Sequence, residues 1–258
     1  PYATLFRSMK LLNGIALMML SAAAPAGAQD AAELIAKGDA ADVKFLPEEA
    51  LKHYLPAEKL RPDDAELLVK IARQYIYRMG ELTTPEAKIE SGKTGLAYAE
   101  RAVKLSPRLS DAHLAISICL GKITQQQGNR EKVVASKRIK ETAERAVKLD
   151  PKNDYAWHIL GRWHQALAGM SPIVRGIVKL VYGELPPASN EVALDCFQKA
   201  VKLRPDRLIH HIELGRTHAQ MGNKEEARKA LMKGLAMPNT EKDDPESKRR
   251  GREALARL

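Results

Sequence analysis

The residues of this chain that could do chemistry are few, and most lack the company a reaction needs. Ser91-Gly92-Lys93-Thr94 has the ending of a phosphate-binding loop. Such a loop needs a glycine five residues before Gly92, where Ala87 stands, and a strand leading into it. The segment therefore reads as a turn before a helix. Seven histidines raise the question of a metal, but His158 and His164 are six apart and His211 and His218 seven apart. Neither spacing puts two imidazoles one helical turn apart, and no His-Glu-x-x-His is present. His113, His164, His211 and His218 instead fall at helix-packing positions. Cys119 and Cys196 sit in apolar surroundings and read as packed small hydrophobes rather than as a disulfide. No nucleophile–base set can be argued from spacing, because such sets assemble only in three dimensions. The reading is a non-enzymatic chain with no cofactor and no metal. One constellation does make chemical sense: Arg73, Arg162 and Arg216 recur in one register. In that register they could make forked hydrogen bonds to carboxylates or phosphates.

What sets that register is internal repetition. Three segments end almost alike: Ala99-Glu-Arg-Ala-Val-Lys-Leu-Ser-Pro107, Ala143-Glu-Arg-Ala-Val-Lys-Leu-Asp-Pro151 and Phe197-Gln-Lys-Ala-Val-Lys-Leu-Arg-Pro205. Each is the end of an amphipathic helix stopped by a proline. Pro62 closes a weaker earlier copy and Pro238 a later one. Ten residues beyond the first four prolines stand Ala72, Ser117, Gly161 and Gly215, all small, as two closely approaching helices require. Trp157-x-x-Leu160-Gly161-x-x-His164 is close to the tetratricopeptide (TPR) pattern, and Ala193, Phe197, Ala200 and Pro205 fit its second helix. The expected fold is all-α: a TPR-like solenoid of about four helix pairs, with Leu67, Ile71, Leu114, Leu120, Trp157, Leu160, Phe197, Leu214 and Leu231 in its core.

The spacing is irregular. Successive prolines lie 45, 44, 54 and 33 residues apart, against ~34 for a standard repeat. The excess falls between the two helices of each pair, at Met79–Gly92, Gln125–Ser136 and Ala168–Ser189. The third insertion begins with Ser171-Pro172 and continues through Ile173, Val174, Ile177, Val178, Leu180 and Val181, with Arg175 and Lys179 on a polar stripe. With so little polar surface it is expected to be at least half buried, as a buttress on the solenoid. Its other reading is a lipid contact, roofing a pocket for acyl chains or dipping into a membrane.

In a TPR array the first helices of the pairs line the concave side, and the residue after each small one faces the groove. Those residues are Arg73, Ile118, Arg162 and Arg216, with Tyr77, Lys122, His158, Gln165 and Gln220 expected nearby.

Composition agrees with a folded helical protein. Hydrophobic residues are 45% of the chain, which excludes wholesale disorder, and aromatics are 5%, which favours helix over sheet. Met9-Lys10, the apolar run Leu11–Leu20 and the small residues Ala26-Gly27-Ala28 read as an export signal spanning residues 1–28, cleaved near Ala28, with residues 1–8 upstream of a plausible start methionine. Its loss removes Arg7 and Lys10 and lowers the formal charge from +10 to +8. The product is expected to be periplasmic or secreted. Residues 29–61 form an N-terminal helical extension, 62–238 the repeat domain and 239–258 a basic capping helix that starts at Asp244-Pro245-Glu246. A cationic surface suits acidic peptides or anionic phospholipid; nucleic acid is excluded by the lack of any recognised binding motif.

Over residues 60–238 the chain resembles the regulator-of-microtubule-dynamics group of TPR-like proteins. The resemblance rests on Asp64-Ala-Glu-Leu-Leu-x-x-Ile71-Ala72-Arg73, Ala112-His113 with Ile118-Cys119-Leu120, and Gly161-x-Trp163. It extends to Met170–Arg175 and to the run from Leu180 through Pro186-Pro187 to Ala193-Leu194. The resemblance implies a helical repeat domain without enzymatic activity, and roles in binding microtubules or linking organelle membranes. An exported chain meets no microtubules, so what carries over is the fold and a binding role. The function expected is a non-catalytic scaffold that recognises an acidic peptide or protein segment through a basic groove; the alternative is a lipid-binding protein at an envelope membrane that uses residues 171–185.

Overall fold

The computed structural model describes residues 26–184 and 186–258. The export-signal reading therefore falls almost wholly outside the described residues. Among the described residues the chain is helical throughout, without strands. Helices α1 (Ala26–Asp42) and α2 (Pro47–Leu60) form a first antiparallel pair. Four TPR-like pairs follow: α3 (Ala65–Met79) with α4 (Pro85–Leu105), α5 (Ser110–Gln125) with α6 (Asn129–Leu149), α7 (Asp154–Ala168) with α9 (Asn190–Leu203), and α10 (Leu208–Gln220) with α11 (Lys224–Ala236). Helix α8 (Pro172–Tyr182) is inserted in the third pair, and α12 (Asp244–Leu255) packs on α10 and α11.

The prolines act where the sequence places them. A residue before proline is pushed out of helical conformation. Arg61, Ser106, Asp150 and Arg204 accordingly share φ between −133° and −137° and ψ between 68° and 94°. Each still donates its N–H to the carbonyl four residues back, on Ala57, Ala102, Ala146 and Ala200. All four alanines are fully buried, so each helix ends against the next pair. A second repeated device lies six residues past the proline. Ring nitrogens of His113 and His211 and the indole N–H of Trp157 lie 2.9 Å from the carbonyls of Pro107, Pro205 and Pro151. The rings satisfy carbonyls that the start of the next helix would leave unpaired. Two of the histidines are thus repeat-building residues.

Close helix approach falls on the small residues. A Cβ on Gly161 would meet the Phe197 ring at 3.0 Å, and one on Gly215 would meet Leu231 at 2.7 Å. The core includes Leu67, Ile71, Leu114, Leu160, Phe197 and Leu231, joined by Tyr54, Leu68, Leu208 and Ile212. Leu120, Trp157 and Leu214 are only half-buried. Trp157 packs at the edge of the core cluster of Ala143, Leu160 and Cys196, with Lys199 Nζ 4.3 Å from its ring centre, and Trp163 is the more deeply buried indole.

Three expectations need correction. The extra residues of the first two insertions mostly lengthen helices rather than loops: α4 and α6 have 21 residues each, against 14 for α9 and 13 for α11. Ser91-Gly92-Lys93-Thr94 consequently lies inside α4, not in a turn before a helix. Ser91 Oγ donates to the Tyr75 carbonyl at 2.8 Å, and a Cβ on Gly92 would press on Ile123 at 2.5 Å. Small residues are needed there for packing. The third correction concerns α8, which packs on α6 and leaves most of its surface exposed, so it is not a half-buried buttress.

Candidate functional site

The inner face is built from the first helices, α3, α5, α7 and α10, and from the chain that follows α11. After Pro238 that chain does not run straight into a cap. Asp244, itself buried, accepts from the N–H groups of Thr240 and Glu241 at 2.7 and 2.8 Å and folds residues 240–244 into a tight turn. The turn spans the inner face. Glu241 pairs with Arg207 of the α9–α10 connection at 3.1 Å, and Asp243 with Lys122 of α5 at 2.6 Å. Lys242 reaches the first pairs, 2.6 Å from Glu81 and 3.2 Å from the Phe45 carbonyl, with its ammonium 5.6 Å from the centre of the Tyr77 ring. Phe45 holds the left-handed φ of 57°. The last helical pair is thereby tied to the first by a strap of alternating charge.

Beneath the strap lies a buried polar cluster. Glu213, on α10, is wholly buried and receives Arg162 at 2.8 Å, Arg216 at 2.6 Å and Arg250 of α12 at 3.3 Å. Burial opposes its ionisation, but the guanidiniums outweigh that and hold its carboxyl below the ordinary range. Nearby, Asp154 pairs with Arg207 and accepts from His210 Nε2 at 2.7 Å. A carboxylate on Nε2 fixes the proton there in neutral His210. Its Nδ1 is then left to accept from His158 Nδ1, 3.0 Å away. Burial, foremost, pushes His158 and His210 below the usual histidine value; mutual repulsion and nearby arginines add to this for His158. Desolvation raises Asp154, yet His210 and Arg207 bring it below its ordinary value. Tyr155 covers the cluster, with the Arg207 guanidinium 4.2 Å from its ring centre.

Tyr77 and Lys122 lie on the inner face and touch the strap. Arg162 and Arg216 are brought together, but on Glu213 rather than side by side for a ligand. Arg73 is not part of their group: it pairs with Asp42 of α1, beside Gln74. His158 is 2% exposed and Gln165 is 6% exposed, so neither can touch a ligand on this surface. Gln165 donates to the Glu213 carbonyl and Thr217, while Gln220 donates to the Gln165 carbonyl and Asn190. The free three-arginine array expected from register is not formed, because a buried carboxylate must be compensated and takes two of its members. Sequence reasoning missed Glu213, Asp154, His210 and the strap. A signal for two burials existed: His158 stands where other repeats have Val69, Leu114 and Ile212, and His210 where they have Leu67, Ala112 and Ala156.

The thiols of Cys119 and Cys196 are free and buried, and desolvation pushes each up to about 12. Two shallow clefts in the N-terminal region have mixed linings, one of Leu46 and Pro47 with Glu48, Glu49, Lys52 and Glu81, the other of Ile35 and Leu67 with Arg61, Asp64, Glu66 and Lys70. Helix α8 roofs neither.

Residues 30–258 match the family described as Regulator of microtubule dynamics protein 1-3. Regulator of microtubule dynamics protein 1 of Mus musculus is 31% identical over 185 residues, 70% of this chain and 60% of the relative. Regulator of microtubule dynamics protein 2 of Macaca fascicularis is 24% identical over 204 residues, 78% of this chain and 49% of the relative. The chain thus spans about half to three-fifths of these curated relatives. Among solved structures, a thermophilic TPR protein of Thermus thermophilus superposes with a TM-score of 0.61 at 18% identity, covering 88% of this chain and 99% of that one. That likeness is one of fold.

Proposed function

Since the chain belongs to the regulator of microtubule dynamics protein 1-3 family and has a TPR-type fold, we propose that it works as a non-catalytic protein-binding scaffold whose inner face takes an acidic segment. The observation that carries this reading is the strap. An acidic turn, Glu241 to Asp244, already occupies the inner face through Lys122 and Arg207. What the chain does to itself in cis is what it would do to a partner in trans. The arginines on Glu213 act from below: they fix α7, α10 and α12 relative to one another and so set the spacing of the surface above. Lys122 and Tyr77 are the contact residues, and a partner must displace the strap to reach them.

The test is a calorimetric titration of a peptide copying residues 239–246 into the K242A/D243A variant, in which the strap keeps only its Glu241–Arg207 pair on the inner face. Binding should be tighter than to the unmodified chain and should fall at least about tenfold when K122E is added, since a charge-assisted contact becomes a repulsion. Failure of the peptide to bind the loosened variant would refute the reading. Activity on microtubules, implied by the relatives' names, is not part of this proposal. Residues 1–28 have the pattern of an export signal, and N-terminal sequencing of the recovered protein should begin at Gln29.

A further inference from the structure

Helix α8 breaks the rule that the rest of the fold obeys, because its apolar face is turned outward. At about 100° per residue, Leu180, Ile173, Ile177, Val181 and Val174 fall on one arc of about 120°. All five are exposed, Ile173 at 76% and Leu180 at 87%. The helix holds to the body by its other edge, through buried Val178 and through Arg175, which donates to the Leu167 carbonyl at 2.6 Å. The stripe is therefore not a packing surface left open by a loose helix: the helix is attached in the orientation that displays it.

Its electrostatic setting is net basic. No Asp or Glu occurs between Asp154 and Glu184. The supporting helix α6 is held beside α7 by the Trp163 indole, which donates to the Ser136 carbonyl at 2.9 Å. The same N-terminal half of α6 carries exposed Arg130 and Lys132 and the exposed Val134, with Glu131 as its acid. Lys179 lies at the stripe's polar flank and pairs with exposed Glu184. We propose that α8 is a docking helix for a membrane surface rich in anionic lipid, its aliphatic stripe entering the head-group boundary while the cations of α6 and α8 meet the lipid charge. A second copy of the chain is the poorer occupant, since it would bring two cationic rims together. Helix α6 is the second, outer helix of its pair, so docking through α8 leaves the inner face and its strap open to solution.

The test reads α8 itself. The L180C variant can be labelled selectively with an environment-sensitive fluorophore, because Cys119 and Cys196 are buried. With vesicles of phosphatidylcholine and phosphatidylglycerol in equal parts, emission should rise and shift to the blue. With phosphatidylcholine alone the response should be weaker. Adding I177D should reduce the apparent affinity at least about tenfold, and R130E/K132E by several-fold. Three results would overturn the proposal: no emission change with either vesicle, a change that I177D leaves intact, or the same change produced by raising protein concentration without lipid.

Discussion

The inner face and α8 carry opposite kinds of surplus, and the fold treats them oppositely. On the inner face, charge has been taken out of water. Glu213 is fully buried, and the chain surrounds it with arginines from α7, α10 and α12. On α8, aliphatic surface has been left exposed, with nothing among the described residues laid over it. The difference follows from magnitudes. An unpaired buried charge costs several kcal/mol, whereas an exposed aliphatic side chain forgoes only about 1.5–3 kcal/mol of burial. A fold must resolve the first within itself and can leave the second for a partner.

Glu213→Ala should show the largest effect. It leaves three guanidiniums around an empty buried position, and unfolding in urea should reveal a loss of about 3–5 kcal/mol. If the loss were under about 1 kcal/mol, the inner face would be no more committed than a surface ion pair. Next in size is the response to pH. His158, His164, His210, His211 and His218 all lie below their ordinary value of 6.5, with burial as the leading cause. The unfolded chain then binds more protons than the folded one. Stability from these groups is complete above about 6.5 and declines as pH falls below it. The lowered carboxyls of Asp154 and Glu213 add a second loss beginning below their ordinary values of 3.8 and 4.5. Thermal melts between about pH 7.5 and 5 should show the first decline (about 1.4 kcal/mol per pKa unit for each histidine fully engaged), and His158→Leu should reduce it. K242A/D243A should lower stability by about 1 kcal/mol or less, because the strap's pairs are partly solvated. I177D/L180D should move it by less than about 0.5 kcal/mol. A large loss there would mean that α8 packs inward after all.

The repeats were legible because a proline, a small residue ten positions on and an alanine seam recur with a fixed meaning. Pro107, Gly161 and Ala146 each do in the structure what their register implies. The inner face was legible only in outline. Tyr77 and Lys122 were found because the register points them inward. Arg162 and Arg216 were found too, but not their destination: Glu213 lies on another helix from Arg162, 51 residues away, and although it stands three residues before Arg216 on α10, nothing local marks it as buried. The strap was hidden for the same reason: Lys242 meets Phe45 across 197 residues, a distance at which local pattern is silent. The burial of His158 could have been read by comparing repeats column by column. The exposure of α8 could not, because an amphipathic stripe looks the same in sequence whether its apolar side faces a core or solvent.

The most direct test of the inner-face reading is amide hydrogen exchange on the unmodified chain, saturated with the peptide that copies residues 239–246. Residues 240–244 should lose protection as the peptide takes their place, while α10 and α12 keep theirs. Peptide binding that leaves protection at 240–244 unchanged would place the binding site elsewhere and contradict the account.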